Sequence, residues 1–110
     1  MTRVPFSIAG RLISADQPPY VIAEMSGNHN QDIGRAKKLI EAAAEAGADA
    51  VKLQTYTADT ITIKSHRSEF KINDGLWEGR SLHELYEEAH TPWEWHQELF
   101  DHAAASGITI

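Results

Sequence analysis

The chain has 110 residues, of which 42% are hydrophobic and 24% charged, with a net charge of −6 and no cysteine. This is the balance of one globular domain at most, and it excludes wholesale disorder, disulfide scaffolds, thiol catalysis and thiolate zinc sites. The negative charge argues against nucleic-acid binding, while the start from Met1 lacks a signal peptide's apolar core and no run approaches the ~18 apolar residues of a membrane span, so a cytoplasmic protein is the expectation.

In chain order, Phe6 to Ile8 and Leu12 to Ser14 are short alternating runs around Ala9 and Gly10, which predicts a β-hairpin. Residues 1–19 are read as a hairpin cap, closed by Pro18 and Pro19. A buried strand is expected over about 20–25. A helix follows over about 32–46, capped by Asn30 or Asp32. Ile33, Ala36, Leu39, Ile40, Ala43 and Ala44 line its apolar face, and Gly47 ends it. A second strand runs from Ala50 toward Tyr56. The strand–helix–strand order with short connections implies parallel pairing and a right-handed crossover.

Periodicity fades from Thr57 to Gly79, which reads as a long polar loop placed to cover a substrate. Ser81 and Glu84 fit a capping box for a second helix. Thr91, Pro92 and Glu94 fit another, for a helix that Gly107 stops. Ile108 to Ile110 reads as the beginning of a third strand.

Both predicted core strands turn polar toward their C-terminal ends, where barrels of alternating strands and helices carry their active sites. Glu24 lies in an apolar strand, where a buried carboxylate must be paired, and it is either a general base or one half of a salt bridge to Lys52. Lys52 either binds an anionic phosphate or carboxylate, or compensates Glu24. Gln54, two residues on, shares its face and offers a donor and an acceptor to a hydroxylated ligand. Tyr56 continues that face as a ligand contact or an ordinary rim tyrosine. Asn28 is a candidate substrate contact, although turn and cap chemistry also suits Asn28, His29 and Asn30. His66, His83, His90, His96 and His102 are dispersed and read mostly as solvated, and no histidine is assigned to a metal.

These residues carry a resemblance. Ala23 to Asn30 (AEMSGNHN) and Ala46 to Tyr56 (AGADAVKLQTY) resemble the opening of the sialic acid synthase family. Gln54 to Thr60, Gly75 to Glu87 and His90 to His96 are most similar to its pseudaminic acid branch. The resemblance covers about residues 20–110. It implies condensation of phosphoenolpyruvate with an acylated amino sugar to a nine-carbon keto acid. The implied fold is α/β: the N-terminal part of a (β/α)8 TIM barrel, preceded by the hairpin, with residues 20–110 forming the first βα units. By the same resemblance Glu24 is the catalytic carboxylate, Lys52 contacts phosphoenolpyruvate and Gln54 the acceptor sugar. A divalent metal, manganese or magnesium, is implied for the complete enzyme, with its histidine ligands, a second lysine and an antifreeze-like domain outside these residues. The complete enzyme is expected to be a homodimer, and this chain alone inactive and poorly stable. The alternatives are an N-acetylneuraminate- or legionaminate-forming relative, or a truncated, non-catalytic module that self-associates.

Overall fold

The computed structural model describes residues 3–110; Met1 and Thr2, the first part of the expected cap, lie outside the described residues. Strands β1 (Phe6–Ile8) and β2 (Arg11–Ile13) form the predicted antiparallel hairpin, in the register Phe6↔Ile13. Its two-residue loop has φ of 47° at Ala9 and 82° at Gly10, the left-handed pair whose twist matches that of a hairpin. The hairpin is tied to the next layer through Asp49. That carboxylate accepts from the Arg11 guanidinium and, at 2.7 Å, from the Val21 amide.

Strand β3 (Ile22–Glu24) and strand β4 (Ala50–Lys52) pair in parallel, with Ile22 beside Ala50, Ala23 beside Val51 and Glu24 beside Lys52. Helix α1 (Ile33–Glu45) connects them. Asp32 caps it by accepting from the Arg35 amide, so of the two candidates Asp32 is the cap. Past β4 the chain returns to the sheet at Thr109, which bridges Ala50 in parallel, where the third strand was expected to begin.

Alternation along the strands assigns two faces. Val51 points into the core with Met25, and α1 presents Ala36 and Ile40 to them. Helix α4 (His96–Ser106) adds Leu99 and Ala103, and Ile108 closes the cluster. Ile40, Leu99, Ala36 and Ala103 are wholly buried. The opposite face carries Ile22, Glu24, Ala50 and Lys52, and it is open: Ile22 is 52% exposed. The expectation of a buried strand over about 20–25 therefore fails on this side, and with it the expectation of a buried Glu24, which is exposed.

Two other expectations are corrected. The segment 57–79 is not featureless: Thr57 caps a single turn, α2 (Ala58–Ile61), and Ser68–Phe70 form a 3-10 turn. Threonine capping and the apolar anchor Ala58, which is buried, outweigh the segment's polar composition. Helix α3 (Leu82–Ala89) begins with the predicted reciprocal box of Ser81 and Glu84. The second box does not form. Pro92 precedes a 3-10 turn, Trp93–Trp95, that leads into α4, and Thr91 is buried, with its amide donating to the Gln54 carbonyl at 2.8 Å. With that amide engaged it is not available to the Glu94 side chain, and the Thr91 hydroxyl is buried without a partner. Among the described residues no helix is long and apolar enough to cross a membrane.

The β3–α1 connection is the most constrained loop. Ser26, Asn30 and Gln31 all have positive φ, at 52°, 50° and 58°, each costing of order 1 kcal/mol in a non-glycine residue. Side-chain ties hold the loop there. Asn28 Nδ2 donates to the Met25 carbonyl at 2.9 Å, and Arg35 Nε donates to the Asn28 carbonyl at 2.6 Å. His29 is wholly buried; its Nδ1 accepts from the Gln31 amide and its ring meets Trp95 edge-on at 5.0 Å. Gly27 lies against the end of α3, where an added Cβ would sit 2.7 Å from the Cβ of Ala89.

Three outcomes are expected from this packing. Leu99→Ala should lower the unfolding free energy of this chain by about 3 kcal/mol in a denaturant titration. Gly27→Ala should cost about 1–3 kcal/mol by overpacking, and Ala89→Gly should recover part of it in a double-mutant cycle. Burial, and secondarily the neighbouring His90, hold His29 below the usual histidine value of 6.5. The folded state then binds fewer protons than the unfolded chain, so stability is full above pH 6.5 and falls as pH drops through the depressed folded value. His29→Asn, which keeps an acceptor for the Gln31 amide, should flatten that acid limb.

Candidate functional site

At the C-terminal ends of β3 and β4, a cavity of about 350 Å³ opens between the β3–α1 loop and α3. Ser26, Asn28, Asn30 and Arg35 line one wall, Gln54 and Tyr56 the floor, and Trp77 and Tyr86 the far side. The segment 71–81 delivers Trp77 by closing on itself: the Ile72 amide donates to the Arg80 carbonyl at 3.0 Å and the Gly79 amide to the Ile72 carbonyl at 2.9 Å. The Arg80 guanidinium lies over the Trp77 ring at 5.2 Å. Gln31 clasps the loop to the end of α3, donating to the carbonyls of Glu88 and His90.

The cavity gathers three predicted residues, Asn28, Gln54 and Tyr56. Gln54 Oε1 accepts from the Ser26 hydroxyl at 3.1 Å. Tyr56 packs edge-on against Tyr86 at 5.4 Å. Burial, with Tyr86 alongside, pushes the Tyr56 phenol above its usual 10, so at neutral pH it is a hydrogen-bond donor.

Glu24 and Lys52 are placed elsewhere. They pair with each other at 2.9 Å on the open sheet face, both substantially exposed. Lys52 borders a shallow apolar depression with Tyr20, Ile22, Phe100 and Ile110, while Glu24 borders another beside Leu39 and Ala43. The salt-bridge reading of both residues is thus realised geometrically, and at this exposure the pair contributes at most about 1 kcal/mol.

The sequence reading gave no site role to the lining residues Ser26, Arg35, Trp77 and Tyr86. Ser26 was legible in principle, since it stands two residues beyond Glu24. Arg35 lies outside the predicted apolar face of α1, and its return to the Asn28 carbonyl depends on the left-handed loop. Trp77 and Tyr86 reach the cavity only through the fold of 71–90. The histidines also differ from expectation, since of the five read as mostly solvated only His66 is exposed. His83 is buried with Nε2 on Asp59 at 2.9 Å, joining α3 to α2. His96 donates from Nδ1 to the Trp93 carbonyl and accepts at Nε2 from the Thr55 hydroxyl at 2.6 Å. Among the described residues no three histidine or acidic side chains converge as metal ligands, so these residues do not by themselves fit a divalent cation.

Residues 39–110 match the NeuB family model. The chain is 48% identical over 95 residues to the pseudaminic acid synthase of Campylobacter jejuni serotype O:2, covering 86% of this chain and 28% of that protein. It is 52% identical over 94 residues to the pseudaminic acid synthase of Helicobacter pylori, with the same 86% and 28% coverage. Among solved structures, the spore coat polysaccharide biosynthesis protein SpsE of Bacillus subtilis superimposes with a TM-score of 0.65 at 33% identity, over 96% of this chain and 26% of that one. The chain thus spans little more than a quarter of the relatives it matches, and it belongs to the NeuB family.

Proposed function

We propose that these residues form the opening βα units of a (β/α)8 barrel that condenses phosphoenolpyruvate with an acylated amino sugar to a nine-carbon keto acid of the pseudaminic type. The observation that carries this reading is the placement of Glu24 and Lys52 beside each other on one sheet face, with Gln54 beyond them in a polar cavity at the strand ends. Likeness to pseudaminic acid synthases supports that acceptor class over the neuraminate and legionaminate alternatives. In this reading the hairpin caps the N-terminal end of the barrel, and its tie through Asp49 at the entry to β4 supports that placement.

The chemistry assigned to the residues is simple. C3 of phosphoenolpyruvate bonds to the aldehyde carbon of the open-chain sugar, whose oxygen takes up a proton. Water adds at C2, and the tetrahedral centre expels inorganic phosphate to leave the keto acid. Lys52 holds the anionic phosphoenolpyruvate as a point charge. Once the ammonium turns to that anion, Glu24 is released from the ion pair to accept the proton of the attacking water. Gln54, Asn28 and Tyr56 bind the sugar by hydrogen bonds. A manganese or magnesium ion would polarise oxygen in the complete enzyme, with ligands that these residues do not complete. The working enzyme is further proposed to be a cytoplasmic homodimer carrying an antifreeze-like domain, and the 110-residue chain to be inactive alone.

The test is phosphate release and product mass in the full-length protein that contains this segment, supplied with phosphoenolpyruvate and a panel of acylated amino sugars. A nine-carbon keto acid from the pseudaminic-type acceptor is the expected product; no phosphate release with any acceptor contradicts the reading. Lys52→Met should raise the KM for phosphoenolpyruvate at least about tenfold, the loss of one charged contact. Glu24→Gln should lower kcat by about 10²–10⁴ while leaving that KM nearly unchanged. Unchanged kinetics in either variant removes that residue from the mechanism.

A further inference from the structure

Ser26 combines a strained backbone with a side-chain contact inside the cavity. Its backbone is left-handed, at φ 52°, where glycine would be free of strain and serine is not. Its hydroxyl donates to Gln54 Oε1 at 3.1 Å, between two side chains that both line the cavity. An amide side chain has one carbonyl and one NH2 group. Ser26 occupies one lone pair of that carbonyl and fixes which way the amide faces, leaving both NH2 hydrogens free for a ligand.

Much of the lining leans the same way, with Asn28 the exception: its NH2 group is spent on the Met25 carbonyl, so its own carbonyl is left as an acceptor. Arg35 contributes a guanidinium, which can only donate, and Tyr56 a protonated phenol. No carboxylate belongs to the lining among the described residues. A donor-rich wall beside a fixed positive charge suits a carbonyl oxygen. It disfavours an ammonium, which would meet Arg35 without a counter-charge. An amino sugar whose nitrogen is acylated offers the first, and the same sugar with a free amine offers the second.

We propose that Ser26 is a positioning residue for acceptor choice: its hydroxyl fixes the Gln54 amide so that the NH2 group receives an N-acyl carbonyl of the sugar. The proposal rests on the reading of this cavity as the acceptor site. It accounts for a strained serine at this position by its side chain alone, since a glycine would serve the backbone better.

The experiment uses the full-length protein containing this segment, with Ser26→Gly and Ser26→Thr. Ser26→Gly removes the hydroxyl and relieves the backbone. Its thermal midpoint should be no lower than wild type, while the KM for the acylated sugar rises about tenfold and that for phosphoenolpyruvate stays within about twofold. Ser26→Thr restores the hydroxyl on a β-branched residue that the left-handed region resists. It should recover the acceptor KM at a lower midpoint. Stability and acceptor binding moving in opposite directions across the two variants is an outcome that a purely structural serine does not produce. An unchanged acceptor KM in Ser26→Gly, or both KM values rising in proportion, overturns the proposal. Absence of condensation in the wild type would fail the proposed activity separately. Calorimetry with mono- and di-N-acetylated hexosamines then decides: binding about tenfold weaker in Ser26→Gly sustains Ser26, and equal binding or none to wild type overturns it.

Discussion

The parallel register of β3 with β4 places Ile22 beside Ala50, Ala23 beside Val51 and Glu24 beside Lys52. Because side chains alternate along each strand, this one alignment sorts the chemistry. Val51 goes to the helices and the core, and Glu24 and Lys52 to the opposite face. A slip of one residue would put the ammonium among Ile40 and Leu99, where an unpaired charge costs several kcal/mol. The apolar side of the sheet therefore enforces the polar side.

Beyond the last ladder position, the backbone is organised by side chains instead of by the sheet. Asn28 and Arg35 secure the β3–α1 loop, buried His29 fills the space beside Trp95, and Gln31 binds it to the end of α3. Three left-handed residues in six positions are tolerated because these ties are distributed over the loop. The result is a rigid lip over Gln54, with Gly27 in close contact with α3. A site assembled this way keeps polar groups in fixed directions, as recognition of a hydroxylated ligand requires.

The sequence showed the regular elements well where one physical signal dominated. The 3.6-residue periodicity of α1 named every residue of its packed face, and the Ser81 and Glu84 pair marked the start of α3. It misled where local and long-range demands competed. Thr91, Pro92 and Glu94 have the composition of a cap, but the Thr91 amide is taken by Gln54 across the fold. The segment 57–79 looks polar throughout, yet Thr57 and Ala58 are enough to nucleate a turn. Within the site, period-two spacing put Lys52 and Gln54 on one face, but β4 ends at Lys52, and Gln54 lines the cavity while Lys52 stays on the open sheet face. The cavity wall from Arg35, Trp77 and Tyr86 depends on tertiary approach, which spacing does not encode. Burial of Glu24 was inferred from its apolar neighbours, and it fails because the face it occupies is open.

The proposed function assigns two different ligands to two separate groups, Lys52 with Glu24 and Gln54 with Asn28 and Tyr56. A crystal structure of the full-length protein, soaked with phosphoenolpyruvate and a reduced, unreactive acylated amino sugar, tests it directly. The account predicts phosphoenolpyruvate on Lys52, the Glu24 ion pair opened, and the sugar in the cavity with an acyl oxygen on the Gln54 amide. An intact Glu24–Lys52 pair with both ligands bound elsewhere would contradict it.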